Sequence, residues 1–166
     1  LEPTNLNELT RECASIAADT FPANIEVRVH RAQPEGLPLI EANPAQLHQI
    51  LMNLCVNARD GMPDGGALTL STDQCHLDAQ AIETISAARA VGDYWTVKVT
   101  DTGSGIPENV RARIFEPFFT TKPKGKGTGL GLPTVSRLMQ LHGGFVDIQS
   151  TPGQGTSVTC YFPRES

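Results

Sequence analysis

At 166 residues the chain is long enough to enclose one hydrophobic core and does not require a second. Its composition, 39% hydrophobic and 19% charged, is that of an ordinary soluble domain. The net charge of −5 argues against a nucleic-acid partner held through its phosphate backbone, so any anion bound here must be held locally.

Leu6, Leu9, Cys13, Ile16 and Ala17 recur at helical spacing and predict an amphipathic helix from about Leu6 to Thr20, with Asn5 and Glu8 placed to cap it reciprocally. Ile25, Val27 and Val29 alternate with Glu26, Arg28 and His30, the pattern of a half-buried strand. Leu37 to Glu41 follows the PEG turn as a second strand, and the two are expected to form a hairpin at a sheet edge. Asn43 and Pro44 read as an N-cap with proline at the first helical position, and Leu47, Ile50, Leu51, Leu54, Cys55 and Ala58 then repeat at the helical period. Beyond the turn MPDGG, Ala67 to Thr72 and Tyr94 to Thr100 read as strands, while Leu77 to Ala90 fits either a short helix or an irregular loop. Pro107 to Ile114 suggests a short helix, Pro117 to Thr128 a long loop, and Leu130 to His142 a helix stopped by Gly143 and Gly144. Phe145 to Ser150 and Ser157 to Phe162 close the chain as a hairpin around TPGQG. This order implies an α+β sandwich, its largely antiparallel sheet covered on one face by helices.

No apolar run approaches the roughly 18 residues of a membrane span, and LEPTNLNELT lacks the regions of a signal peptide. A cytoplasmic domain without membrane contact is therefore expected. Cys13, Cys55, Cys75 and Cys160 include no C-x-x-C pair and are expected as reduced thiols, packed as small apolar groups.

Three stretches carry chemistry. In GKGTGLGL, Gly125 to Leu132, alternating glycines precede a helix, whose start directs unpaired N–H groups and a positive dipole end at an anion; the same stretch also suits a flexible connection. Asn53, Asn57 and Asp60 share one helical stripe, either a solvated face or a ligand set, since an amide oxygen is a hard neutral donor suited to Mg²⁺. In DTGSGIP, Asp101 ends a strand of β-branched residues. As a carboxylate it accepts from the exocyclic amine of adenine and repels the carbonyl of guanine, with a simple Asp-Gly turn as the alternative.

Taken in order, NLCVNARDGM, DTGSGIP, IFEPFFTTK and GKGTGLGL resemble the N box, first glycine box, F box and second glycine box of the catalytic, ATP-binding domain of sensor histidine kinases. The resemblance covers about Asn43 to Leu132, extends to the closing GQGTSVTCYFP, and is loose over the first forty or so residues. It implies the Bergerat fold, a two-layer α/β sandwich with a mobile ATP lid at 117–128, in one domain spanning 1–166. Asn57 is then similar to the Mg²⁺ ligand and Asp101 to the adenine-reading carboxylate. Gly103, Gly105 and Ile106 resemble the base pocket, and Gly127, Gly129, Leu130 and Gly131 the lid and helix start against the phosphates. Arg113 looks like an arginine that reaches the terminal phosphate. Thr128 and Thr156 would donate hydroxyls, and Lys122, Lys124 and Lys126 would meet phosphates or simply be solvated.

Hydrolysing members of this superfamily carry a glutamate as general base one turn before the magnesium asparagine; here Asn53 stands in its place, which would preserve the γ-phosphoryl group for another nucleophile. Two departures stand out. Asp60 and Gly61 occupy positions where many histidine kinases have a basic residue and an aromatic, leaving adenine contacts to Ile106 or Met62, and Arg59 is offset by one. None of His30, His48, His76 and His142 lies in an H box, so the expected acceptor histidine belongs to a dimerisation and phosphotransfer domain outside this chain, with a response-regulator receiver domain downstream. A nucleotide-sensing regulatory module without turnover is the alternative.

Overall fold

Seven strands and four helices follow one another through the described residues of the computed structural model, which are 1–31, 39–84, 91–105 and 131–164. Strand β1 (Glu2–Asn5) leads into α1 (Leu6–Thr20), where Asn5 Oδ1 accepts from the N–H groups of Asn7 at 2.9 Å and Glu8 at 3.3 Å. This helix buries Leu6, Leu9, Thr10, Cys13, Ala14 and Ala17. Ile16, expected within the apolar stripe, is instead 39% exposed, because the buried face runs along Thr10, Cys13, Ala14 and Ala17.

Strands β2 (Ile25–Arg31) and β3 (Leu39–Ala42) do not form the expected hairpin. β3 pairs antiparallel with β1, whereas β2 runs parallel to β4 (Gly66–Leu77), with Ile25 opposite Gly66. Alternation in β2 decides which of its faces is buried but not which strand lies beside it. A parallel neighbour needs a long crossover, and α2 (Pro44–Asp60) lies within the connection that supplies one. β4 also extends past Thr72, because Gln74 to Leu77 find backbone partners in β5 (Gly92–Asp101) without any apolar alternation of their own.

The short helix α3 (Ala79–Thr84) occupies part of the ambiguous segment, and α4 (Gly131–Leu141) precedes the hairpin of β6 (Phe145–Thr151) and β7 (Gly155–Pro163). The main sheet has the order β2-β4-β5-β7-β6, with β2-β4 its parallel pair. Leu68 and Leu70, Val97 and Val99, Ile148, Val158 and Cys160 form its inner face, on which the buried stripes of α1, α2 and α4 pack as one cluster. Tyr94, Phe145 and Leu77 form a smaller buried cluster, where Phe145 stacks on Tyr161 at 4.6 Å between ring centres. All four cysteines are free, and burial pushes the thiols of Cys13, Cys55 and Cys160 up to about 12. Among the described residues no helix is long and apolar enough to cross a membrane.

Helix α4 ends in a tight cap: Gly143 takes φ +74°, and the N–H groups of Gly144 and Gly143 return to Met139 O and Gln140 O at 2.9 and 3.0 Å. A Cβ on Gly144 would strike the Tyr161 carbonyl oxygen and approach Met139 Cε to 2.8 Å. Gly144→Ala should therefore lower the unfolding free energy by about 1–3 kcal/mol, measured by urea denaturation.

Candidate functional site

Alternation along β5 points Val97, Val99 and then Asp101 toward the helices. The carboxylate is held in place from two sides. Gly103 N–H donates to Asp101 Oδ1 at 2.8 Å, and the backbone N–H of Thr156, the residue directly opposite in β7, also donates to the carboxylate. Burial raises its pKa above the ordinary 3.8, and these two hydrogen bonds offset part of that rise. The hydroxyl of Thr156 lies 3.0 Å from Ser150 Oγ, so Asp101, Thr156 and Ser150 form one polar row across three neighbouring strands.

The turn after Asp101 is locked between two other turns. Ser104 N–H donates to Gly61 O, the C-cap of α2, at 3.2 Å, and Ser104 O accepts from Gly153 N–H in the β6–β7 turn at 2.6 Å. A Cβ on Gly103 would collide with Gly61 O, and one on Gly105, at φ +76°, with Thr151 O. Backbone alone therefore fills this gap. Thr102 Oγ1 accepts from Ala67 N–H at 3.0 Å and lies 3.8 Å from Met62 Sδ, which places the buried Met62 beside the same turn.

One turn before Gly61, Asn57 meets the start of α4. The amide nitrogen of Asn57 is sealed from solvent, and a Cβ on Gly131 would lie 3.2 Å from it and 3.5 Å from Oδ1. The Asn57 carbonyl accepts from Gly61 N–H at 3.1 Å, so amide, cap and turn are one continuous assembly. Asn53 is half-buried one turn earlier on α2. Arg59 does not replace the basic residue absent at position 60: its guanidinium lies over the Phe21 ring at 5.1 Å and bonds Asp60 Oδ1 at 3.1 and 3.2 Å.

Asn57, Asp101, Gly103, Gly105, Gly131 and Thr156 thus lie where α2, α4 and the ends of β5 and β7 converge, and Asn53 lies one turn before Asn57 on α2. Ile106, Arg113, Lys122, Lys124, Lys126, Gly127, Thr128, Gly129 and Leu130, together with the expected short helix and lid, lie outside the described residues. The roles of Gly61 O and the Thr102 hydroxyl are not legible in the sequence, because their partners are far along the chain; the position of Thr102 within DTG is the only hint.

Residues 42–166 match the family described as "Histidine kinase-, DNA gyrase B-, and HSP90-like ATPase". The chain is 38% identical over 164 residues to the sensor kinase CckA of Brucella abortus, covering 98% of this chain and 17% of that protein. It is 30% identical over 163 residues to the sensor histidine kinase ZraS of Salmonella typhi, covering 98% and 31%. It therefore spans less than a third of those relatives' length. Among solved structures, the nucleotide-free catalytic domain of histidine kinase ThkA superposes with a TM-score of 0.73 at 27% identity, covering 98% of each chain. Full-length ShkA in complex with AMPPNP gives 0.73 at 29% identity, covering 98% of this chain and 31% of that one.

The raised pKa belongs to the folded state, so the ionised Asp101 costs stability at neutral pH and the cost vanishes as pH falls below the unfolded-state value. In a carbon-detected NMR titration, the Asp101 carboxyl should show a midpoint above 3.8.

Proposed function

We propose, from the premise that the chain belongs to the histidine kinase-, DNA gyrase B- and HSP90-like ATPase family as a histidine kinase ATP-binding domain, that it transfers the γ-phosphoryl group of Mg-ATP to a histidine on a separate dimerisation domain. A response-regulator receiver domain would then take the group from that histidine. The observation that carries this reading is the convergence of the Asp101 carboxylate and the Asn57 amide at one end of α2, linked through Gly61.

Asp101 is the purine reader: its carboxylate accepts from the amine of adenine and repels the carbonyl of guanine. The turn at Gly103 to Gly105 supplies a side-chain-free floor beside it. Asn57 and the head of α4 form the phosphate end. An amide oxygen is a hard donor suited to Mg²⁺, and the absence of a Cβ at Gly131 leaves room for the Asn57 side chain beside a helix start suited to anions. When bound, the ion would neutralise charge on the β- and γ-phosphates. Asn53 orients but takes no proton, since an amide has no useful basicity, so water is a poor competitor for the phosphoryl group. Arg113, Lys126, Gly127, Thr128, Gly129 and Leu130 are assigned to the phosphates by their motifs, and Ile106 to the base.

Residues 1–41 belong to the same domain in this reading, because Leu6, Leu9 and Cys13 share a buried cluster with α2. We place the domain in the cytoplasm, where ATP is available. A second reading, a nucleotide sensor without turnover, draws on the engagement of Arg59 with Asp60 and Phe21, which leaves no arginine at the usual phosphate-contacting position.

Incubation of the chain with labelled ATP, Mg²⁺ and the dimerisation domain of its own kinase should label a histidine; tight ATP binding without transfer selects the sensor. By calorimetry, Asp101→Asn should weaken ATP about 10-fold or more, as expected for a hydrogen bond to a charged group. The wild-type affinity should fall as acidification protonates Asp101. Asn57→Ala should abolish the Mg²⁺ dependence of ATP affinity while leaving adenosine binding intact.

A further inference from the structure

Asn43 begins α2 with its Oδ1 accepting from Gln46 N–H at 3.1 Å, the forward half of a capping box. The return half, a Gln46 side chain reaching back to the Asn43 N–H, is replaced by a group ninety-nine residues away: Asn43 N–H donates to His142 Nε2 at 3.2 Å. His142 Nδ1 donates to Leu138 O at 2.8 Å, taking up one of the carbonyls left open at the end of α4. Both bonds require the tautomer with its proton on Nδ1.

The two helices are thus joined at both ends. Where α2 begins and α4 ends, His142 ties them; where α2 ends and α4 begins, Asn57 packs against Gly131. Between these points α4 buries only Val135, Leu138 and Met139, against six buried side chains on α2, so a tie at its end carries much of its registration. A helix of 11 residues is a rod of about 16 Å, and a tilt at one end appears at the other. At Gly131 an added Cβ would lie 3.2 Å from the Asn57 amide nitrogen, so the head of α4 and the Asn57 side chain are closely packed there.

We propose that His142 is a positioning residue for the phosphate end of the nucleotide site, setting from the far end of the helix pair the separation between Asn57 and the head of α4. This rests on the nucleotide reading above. Calorimetry of the chain with Mg-ATP and with adenosine, beside thermal melts, tests it in His142→Leu and His142→Gln. The leucine variant should lose about 3- to 10-fold in Mg-ATP affinity, the worth of an ordinary hydrogen bond, while adenosine, read at Asp101, changes less than about two-fold. Glutamine, which keeps one donor and one acceptor, should recover most of the loss. Should the leucine variant not fold, His142→Asn, too short to span both partners, is read in the same way. Unchanged Mg-ATP affinity in a folded leucine variant, or equal losses for Mg-ATP and adenosine, overturns the assignment alone; a parent chain that does not bind Mg-ATP overturns the nucleotide reading and this inference with it.

Discussion

The site depends on a contact too close for any side chain: the backbone of Gly103 lies against the carbonyl of Gly61, and Ser104 N–H bonds that carbonyl at 3.2 Å. The end of α2 and the end of β5 are joined there backbone to backbone. An aspartate on the strand and an asparagine on the helix thereby come to one place, each on a rigid element. A side chain at position 103 would have to part helix from strand, and every distance in the site would change with it.

Helix α2 serves both layers. Its six buried residues seat it on the sheet, and Asn57 of its polar stripe meets the start of α4. Asparagines within a helix cost some stability, because their amides compete for backbone hydrogen bonds. At Asn57 that cost is offset by packing against Gly131, in a space that admits an amide on one side only because no Cβ stands on the other. In the proposed reading the amide at Asn53 supplies no basic group, so reaction at the γ-phosphate would depend on placing an external nucleophile.

Local patterns were legible where local forces decide. Both long helices begin where the caps at Asn5 and Asn43 put them, since an N-cap and its N–H partners lie within three residues. The closing hairpin and the strands at β5 and β7 followed from alternation and turn residues. The expected β2–β3 hairpin failed because short-range pattern says nothing of which strand becomes a neighbour, and Val27 and Val29 pair instead with Leu68 and Leu70, 41 residues onward, in a parallel strand. Ile16 failed for a related reason: Leu6, Leu9, Cys13 and Ala17 are buried as expected, but packing widened the face with Thr10 and Ala14 and left Ile16 at its margin.

The site divides in the same way. Asp101, Asn57 and the glycines around them stand in motifs short enough to read, because each motif is a local piece of backbone chemistry: a strand end, a helical stripe, a glycine turn. The carbonyl of Gly61, the hydroxyl of Thr102, the turn of Arg59 onto Phe21 and the bridge made by His142 were decided by the tertiary structure alone. Each joins groups that only the folding of distant segments brings within hydrogen-bond or van der Waals reach, and no spacing along the chain encodes a distance in space.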